Sequence, residues 1–324
     1  MITRRRFVAV STASVAAPAI LTATARAAAW PQRPIHMIVP VAAGGPTDTN
    51  GRLVAEGMSK ALGQKVVVEN KGGAGTNLGN GYVAHADPDG YTLLYGTSSL
   101  ASNGALYRAL DYSPTESLAP VSLVSEFPFF MFVPDSFPPK TVKEFIAAAK
   151  AEPGKLIMGS PGTGSGPHLA EMYFLQSADI KMTHAPYHGA APAFIDLIPG
   201  RIQCYFGSGE LLNFSRAGKV RVLASTGRKR SAAAPEVPTI KETVPSYDVL
   251  SWQGVFAPAQ TPDEIISKLH AAVVKAVAEP VLKKKFSLGA YDIVGSTPEE
   301  LKTYLAADTK KWTSVIKSAG IKID

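Results

Sequence analysis

The amino-acid sequence predicts an α/β protein with two domains. Short apolar segments alternate along the chain with segments of helical spacing, a pattern typical of mostly parallel sheets covered by helices. Two proline-rich passages divide this alternation. The chain has 324 residues, of which 46% are hydrophobic and 18% are charged, and this globular composition suffices for two hydrophobic cores.

The predicted strands and helices follow one another in a regular order. Apolar runs predict strands at 35–40, 65–70, 91–96, 129–133, 155–160, 202–207, 220–225 and 253–258. The segments between them predict helices at 48–62, 76–86, 141–151, 165–177, 190–198, 262–278 and 297–318. Two helices have clear start signals, with Thr261 before Pro262 and with Ser296 or Thr297 before Pro298.

The two proline-rich passages are interpreted as crossings between the domains. They lie at 132–141 and 235–252. Two crossings make the first domain discontinuous, with residues 30–132 and 250–324, and the second domain continuous, with residues 133–249. This arrangement leaves a cleft between the domains, which is a favoured place for a small-molecule site.

Residues 1–29 have the pattern of a signal peptide. A basic start is followed by a short apolar and small-residue stretch and by an A-x-A-like site near Ala27 to Ala29. The paired arginines within Thr3 to Phe7 fit a twin-arginine signal and equally fit an arginine-rich secretory start, so the export route stays open. We therefore expect an exported protein.

The basic charge of the chain comes mainly from this predicted signal. Without its four arginines, the 33 basic residues fall to 29, against 26 acidic residues. The remaining basic runs at 227–230 and 283–285 are short and lack interleaved aromatic residues, so nucleic-acid binding is not expected. A single cysteine, Cys204, excludes an internal disulfide, and its apolar neighbours favour a buried thiol over a catalytic one.

The first candidate site is the glycine loop of "VPVAAGGPTDTNGR", from Val39 to Arg52. A strand, a glycine loop and a helix in this order present backbone N–H groups to an anion. The loop lacks the glycine and lysine spacings of nucleotide sites, and an aspartate in the turn disfavours a highly charged phosphate. Either Thr47 or Asp48 is expected to cap the helix. The candidate binding residues are Ala43, Gly44, Pro46, Thr47, Asp48 and Thr49.

A second glycine loop repeats this arrangement in "LIMGSPGTGSGPHLAEMYFL", residues 156–175. It again joins an apolar run to an amphipathic helix, and it contains no basic residue before that helix. If the two loops face each other across the cleft, they fit a small carboxylate better than a nucleotide; otherwise both are ordinary strand–helix turns. The candidate residues are Ser160, Thr163, Gly164, Ser165 and His168.

The remaining chemical signals are weak. His184 and His188 are four residues apart, but Pro186 between them argues against a pair of metal ligands on a helix, so no metal is expected. The glycine turn at 206–209 adds Ser208 as a hydrogen-bond donor. The chain has no G-x-S-x-G elbow and no recognisable pair of glycosidase carboxylates. We expect a binding protein, not an enzyme.

Six segments of the chain occur in the order found in one known family. They are "PIHMIVPVAAGGPTDTNGRLVAEGMSKALGQKVVVENKGGAGTNLG", "DPDGYTLLYG", "GSPGTGSGPHLAE", "PYHGAAPAFIDLIPGRIQ", "GKVRVLASTGRKRSAAAPEVPTIKE" and "WQGVFAPAQTP". In these segments the chain resembles the periplasmic solute receptors of tripartite tricarboxylate transporters, the Bug family. The resemblance covers essentially the whole chain after the signal-like start.

This resemblance implies a two-domain periplasmic-binding-protein fold of the type II-like class, with a ligand cleft between the domains. It implies a small carboxylate ligand, such as a dicarboxylate or an aromatic carboxylate, that is delivered to a membrane permease. It also implies that the loops 42–49 and 160–165 hold one carboxylate, partly through ordered water. The strand ends 96–99 and 205–208 would line the remainder, which adds Ser98 and Tyr205 to the candidates.

The resemblance implies no cofactor, and we expect a monomer. Two alternatives stay open: an exported hydrolase that uses Ser160 or Ser165 with His168, and a ligand sensor that feeds a membrane kinase. The serine-rich stretch after Tyr95 and the position of Trp252 are expected to set the distal specificity. An aromatic carboxylate would stack on Trp252 or Phe129 if those side chains face the cleft and are not part of the core.

Overall fold

The computed structural model of the protein describes residues 30–323 as two sheets covered by helices, and the predicted signal at 1–29 lies outside the described residues. The strands are β1 (Ile35–Val39), β2 (Val66–Asn70), β3 (Thr92–Thr97), β4 (Leu118–Phe127), β5 (Phe130–Pro134), β6 (Ile157–Ser160), β7 (Thr183–Pro186), β8 (Cys204–Gly207), β9 (Val220–Ser225), β10 (Ser251–Pro258) and β11 (Asp292–Ile293). The helices are α1 (Pro46–Leu62), α2 (Asn77–Ala84), α3 (Ser99–Leu106), α4 (Val142–Ala151), α5 (Gly166–Ala178), α6 (Ala190–Leu197), α7 (Leu212–Arg216), α8 (Asp263–Ala278), α9 (Pro280–Leu288) and α10 (Pro298–Ala319).

Both sheets are mixed, whereas the sequence predicted mostly parallel sheets. The first has the strand order β11-β4-β10-β3-β1-β2, and the second has the order β7-β6-β8-β5-β9. β10 runs antiparallel to β3 and β4, and β5 runs antiparallel to β8 and β9. β5 and β10 are the first strands after the chain passes from one sheet to the other. They therefore start at the gap between the sheets, where the parallel strands end.

The first passage between the sheets lies earlier than predicted. β4 ends at Phe127 in the first sheet, and β5 begins at Phe130 in the second. The predicted boundary after residue 132 falls inside β5, because the proline-rich passage 132–141 connects β5 to α4 and does not connect the two sheets. The return passage runs from the end of β9 through 226–250 to β10.

All predicted strands and helices are present, with ends that agree to within two residues. The elements that the sequence did not predict are β4, β7, β11, α3, α7 and α9. α3 has the sequence "SLASNGAL", in which serine, asparagine and glycine hide the helical pattern. β4 is interrupted by Pro120 and by buried Ser122 and Ser125, so it lacks a continuous apolar run.

The two predicted helix starts differ in their capping. Thr297 caps α10 through a reciprocal pair of hydrogen bonds with Glu300, as its threonine–proline start predicts. α8 begins one residue later than predicted, with Pro262 as its N-cap. Thr261 does not cap α8, because its hydroxyl donates to the Pro258 carbonyl at 2.8 Å.

One side of the first sheet depends on close contact between α1 and α8. Gly57 of α1 faces Ala276 of α8. A Cβ atom at position 57 would lie 2.6 Å from the Ala276 Cβ and 2.8 Å from its Cα. Glycine is therefore required at this contact, since any side chain would push the two helices apart.

We predict that Gly57→Ala lowers the free energy of unfolding by about 1–3 kcal/mol, because overpacking against helix backbone cannot be relieved by a rotamer change. Gly104→Ala in α3 is the matched control. A Cβ there has Pro114 at 3.9 Å as its only contact within the described chain. The control should be neutral or more stable by about 0.5–1 kcal/mol, as expected for glycine to alanine in a helix. Urea unfolding of both variants measures the difference, and equal effects would contradict the packing argument.

Candidate functional site

A cavity of about 580 Å³ lies between the two sheets, at the edge where strands of both sheets end. Such a gap between two α/β units is a common position for a small-molecule site. The lining residues are Val41, Pro46, Thr47, Gly75, Thr76, Thr97, Ser98, Ser99, Asn103, Leu106, Tyr107, Phe127, Phe129, Pro161, Gly162, Thr163, Gly164, Ser165, Gly166, Pro167, Ser251, Trp252 and Gln253.

Four helices of the described chain begin at this cavity, namely α1, α2, α3 and α5. The first N–H groups of a helix have no acceptor within that helix, and its N-terminus carries about half a positive charge. Among residues 30–323, α1, α2 and α3 have no side-chain cap, while Ser165 caps α5. The cavity is therefore bordered by backbone donors that suit an anion.

The β1–α1 loop is held by Asp48, which does not belong to the cavity lining. One carboxylate oxygen accepts from the Gly44 amide at 2.9 Å and from Arg52 Nε at 3.1 Å, and the other accepts from Asn70 Nδ2 at 2.9 Å. Burial raises the pKa of Asp48, but the hydrogen bonds from Arg52, Gly44 and Asn70 outweigh it and hold that pKa below its ordinary value. The Asp48 carboxylate thus stabilises the loop itself, whereas the neighbouring Thr47 lines the cavity.

Gln253 is a cavity residue that the sequence reasoning missed. Its Oε1 accepts from Asn50 Nδ2 at 3.1 Å and from the Tyr95 hydroxyl at 2.9 Å, and these two donors fix the orientation of its amide. Its Nε2 then donates to Thr47 Oγ1 at 3.3 Å, which leaves the Thr47 hydroxyl proton free to point elsewhere. A glutamine at the start of the apolar run "QGVFAP" is the signal that could have identified it.

A chain of hydroxyl groups also lines the cavity. Thr76 Oγ1 accepts from Asn80 Nδ2 at 3.1 Å and lies 2.9 Å from Ser99 Oγ. Ser99 Oγ lies 2.7 Å from Thr97 Oγ1, and Asn103 Nδ2 donates to the Gly75 carbonyl at 3.0 Å. If Thr76 donates to Ser99 and Ser99 donates to Thr97, the Thr97 hydroxyl proton is left for a further acceptor. The serine-rich stretch after Tyr95 supplies part of this lining.

The β6–α5 loop contributes the second sheet's side of the cavity. As in the β1–α1 loop, a glycine amide donates to the side chain four residues later. The Gly164 amide donates to His168 Nδ1 at 3.0 Å, so the neutral ring carries its proton on Nε2. The His168 ring stacks on His184 with 3.9 Å between centroids, and His184 Nε2 lies 2.7 Å from Ser160 Oγ. Burial, and then the neighbouring His184, lower the pKa of His168 to about 3. The imidazole therefore acts as a neutral acceptor that shapes the loop.

The structure places the predicted site residues in two groups. Those that line the cavity are Pro46, Thr47, Ser98, Thr163, Gly164 and Ser165. Those outside the lining are Ala43, Gly44, Asp48, Thr49, Ser160, His168, Tyr205 and Ser208. Tyr205 is buried in the apolar cluster around Phe194.

The predicted helix cap differs from the structure, and the two aromatic residues considered for stacking, Trp252 and Phe129, both line the cavity. Gly45, and neither Thr47 nor Asp48, is the N-cap of α1, because Pro46 already adopts the first helical position. Trp252 is fully buried, and its indole Nε1 donates to Asp308 Oδ2 of α10 at 2.8 Å. Phe129 lines the cavity and is almost completely buried.

The hydrolase geometry is not assembled by these residues. Ser165 Oγ accepts from the backbone N–H of His168 at 3.4 Å and serves as the cap of α5, while His168 Nδ1 is occupied by the Gly164 amide. Ser160 Oγ contacts His184, and the side chain is completely buried. A serine nucleophile needs both a free base and access to its substrate.

The architecture has counterparts in a known family. The family model described as tripartite tricarboxylate transporter family receptor matches residues 51–321. The chain belongs to this family. It is similar to the periplasmic binding protein BugD, with 32% identity, a TM-score of 0.78 and coverage of 91% of this chain and 100% of BugD. The predicted Bug-family resemblance and the two-domain periplasmic-binding-protein fold are confirmed.

Two structures of relatives from Rhodopseudomonas palustris contain carboxylates. Rpa4515 with adipate is 32% identical, with a TM-score of 0.81 over 91% of this chain and 100% of its own. MatC with bound malate is 32% identical, with a TM-score of 0.77 over 89% of this chain and 100% of its own.

Membership in this receptor family confirms the prediction of a solute-binding protein over an enzyme. Within residues 30–323, every helix is too short or too polar to span a bilayer.

We predict that acid destabilises this receptor partly through His168. The folded chain keeps the ring neutral down to a pKa of about 3, whereas the unfolded chain protonates it near its ordinary value of 6.5. The unfolded state therefore binds more protons between those values, and stability falls as the pH falls through this window by up to about 1.4 kcal/mol per pH unit. His168→Gln keeps an acceptor for the Gly164 amide but does not titrate. Its melting temperature should fall less than that of the wild type between pH 6.5 and pH 4, and parallel pH profiles would refute the assignment.

Proposed function

We propose that this protein is a periplasmic receptor that captures a small carboxylate and delivers it to the membrane permease of a tripartite transporter. One observation carries the proposal: four helix N-termini and a set of hydroxyl and amide donors converge on one cavity. The adipate and malate in the two relatives agree with this donor set. The signal-like residues 1–29 support export, and a monomer is the proposed working form.

In the proposed complex, the ligand carboxylate lies between the starts of α1 and α5. These helices have 17 and 13 residues and belong to different sheets, so their N-termini act on the ligand from two sides. The Thr47 hydroxyl donates to the carboxylate, because its oxygen already accepts from Gln253. The Thr163 and Ser165 side of the clamp comes from the β6–α5 loop. Ordered water completes the contacts at little cost in affinity.

The two sheets and their helices are proposed to be two domains that close on the ligand. Residues 30–127 and 251–323 would form the first domain and residues 130–249 the second, with both crossings at the base of the cavity. Closure of the domains would bring the donors of α5 into contact with a ligand that α1 already holds. Such hinge closure is the usual motion of periplasmic binding proteins.

We predict that Thr47→Ala and Thr163→Ala weaken carboxylate binding by about 1–3 kcal/mol each. Each change removes a hydroxyl donor and leaves an oxygen of the buried carboxylate without that hydrogen bond. Thr49→Ala is the matched control, because Thr49 lies on the same helix, is exposed and does not line the cavity. Calorimetric titration with malate, adipate and aromatic carboxylates measures the affinities, and thermal melting checks the fold. If both cavity variants bind with normal affinity, the carboxylate does not bind at these two threonines.

Two further measurements distinguish the proposed receptor from the hydrolase and from the ligand sensor. Incubation of the purified protein with carboxylic esters should give no steady product, and turnover that Ser165→Ala abolishes would support the hydrolase instead. Deletion of the gene should abolish uptake of the identified ligand into cells. Intact uptake together with a lost transcriptional response to that ligand would favour the sensor.

A further inference from the structure

A row of polar side chains leads from Thr47 in the cavity to Glu210, which follows β8 of the second sheet. Gln253 Nε2 donates to Thr47 Oγ1 at 3.3 Å, and Gln253 Oε1 accepts from Asn50 Nδ2 at 3.1 Å. Asn50 also forms a hydrogen bond with the Tyr291 hydroxyl, which lies 3.4 Å from Glu210 Oε1. Asn50, Gln253 and Tyr291 are buried. We call Glu210, Tyr291, Asn50, Gln253 and Thr47, in that order, the polar relay.

Of these five residues, Glu210 alone has a fixed hydrogen-bond direction. Hydroxyls and primary amides can donate and accept, so a row of them can run in either direction, whereas a carboxylate only accepts. Glu210 therefore takes the proton of Tyr291, and the Tyr291 oxygen is left to accept from Asn50. Burial, and then the charge of Glu210, raise the pKa of Tyr291, so its phenol keeps the proton that it donates.

The fixed end sets the orientation of both amides in the polar relay. Asn50 turns Nδ2 toward Tyr291, and the same nitrogen donates to Gln253 Oε1. Tyr95, which is completely buried, donates to that oxygen as well, at 2.9 Å. Gln253 Nε2 is then the atom that faces Thr47. The Thr47 oxygen accepts from it, so the Thr47 proton remains for a ligand.

The opposite direction of the polar relay is unfavourable at Glu210. If Thr47 donated to Gln253, both amides would turn over, and the Asn50 oxygen would then take the proton of Tyr291. The oxygens of Tyr291 and Glu210 would face each other at 3.4 Å without a proton between them. Two facing oxygens with partial or full negative charge repel each other. The carboxylate therefore favours the direction in which Thr47 is a donor.

Close packing holds Glu210 beside Tyr291. The preceding residue, Gly209, lies against the turn that follows α9. A Cβ atom at position 209 would lie 2.7 Å from the Gly289 carbonyl oxygen and 2.8 Å from the Ala290 Cβ. Glu210 belongs to the second proposed domain and Tyr291 to the first. The second domain thus reaches the polar relay through a contact between two backbone segments.

We propose that Glu210 is a positioning residue for carboxylate binding, and that it acts through the polar relay to keep the Thr47 hydroxyl a donor toward the ligand. This inference rests on the proposed carboxylate-binding function. Glu210 does not belong to the cavity lining. Its proposed effect is opposite to that of its charge alone, because a negative charge near an anion site weakens binding.

Charge reversal at position 210 separates the two effects. Glu210→Lys replaces a side chain that only accepts with one that only donates. Its positive charge alone would strengthen carboxylate binding, whereas the polar relay predicts binding about 10-fold weaker, the size expected for one lost hydrogen bond to a charged group. Glu210→Gln can donate or accept, and its binding should be weakened by less. Glu236→Lys is the control, since it makes the same charge change at an exposed residue of the return passage and should bind at least as tightly as the wild type.

A second change at Thr47 shows whether the effect passes through its hydroxyl. In the Thr47→Ala background there is no hydroxyl to redirect, so Glu210→Lys should bind no more weakly than Thr47→Ala alone. Calorimetric titration of the mature protein with malate, adipate and benzoate measures the affinities, and thermal melting checks the fold. If Glu210→Lys does not fold, Glu210→Gln makes the same comparison with a smaller effect.

The outcomes distinguish this inference from the proposed function. Unchanged or tighter binding by both Glu210 variants overturns the positioning role and leaves the carboxylate function intact. An equal loss of affinity with and without the Thr47 hydroxyl does the same, because the effect would then bypass the polar relay. A wild-type protein that binds none of the three carboxylates overturns both.

Discussion

A helix cannot pair its own first N–H groups, and this constraint organises the space between the two sheets. Because β1, β3 and β6 all end at this gap, the helices that follow them begin there, and their unpaired N–H groups face one cavity. The crossings reinforce the arrangement, since β5 and β10 start at the same gap and run against the strands beside them. The positive field of the cavity is thus a property of strand direction, and it needs no cationic side chain.

The two glycine loops share one backbone hydrogen-bond pattern but use different side chains to accept it. In each loop a glycine amide donates to the side chain four residues later, from Gly44 to Asp48 in the first and from Gly164 to His168 in the second. Asp48 is charged, and Arg52 balances it at 3.0 Å, so its negative charge does not cancel the helix field. His168 is neutral because it is buried against His184. Both side chains fold the loop backbone toward the cavity while staying outside its lining.

The local parts of this structure are readable in the sequence, and the parts that depend on distant contacts are not. Each glycine loop lies between an apolar run and a helical pattern within about twenty residues, so both were found as candidate anion loops. Gln253 escaped notice because its role depends on Thr47, Asn50 and Tyr95, which are 158 to 206 positions away in the sequence. Tyr205, which only the family resemblance added to the candidates, lies in the apolar cluster around Phe194, a packing contact that also depends on residues distant in the sequence.

A clamp built from backbone and hydroxyl donors also suits a receptor that has to give up its ligand. In the proposed function, α1, α2 and α3 act from the first domain and α5 acts from the second, so the full donor set exists only when the domains are closed. Opening would remove the α5 side together with Thr163 and Ser165. A lysine or arginine in the lining would keep a full positive charge on the ligand in the open state and slow its release. In this proposal, fixed dipoles divided between two domains would instead make affinity depend on closure, and the permease would control release by separating the domains.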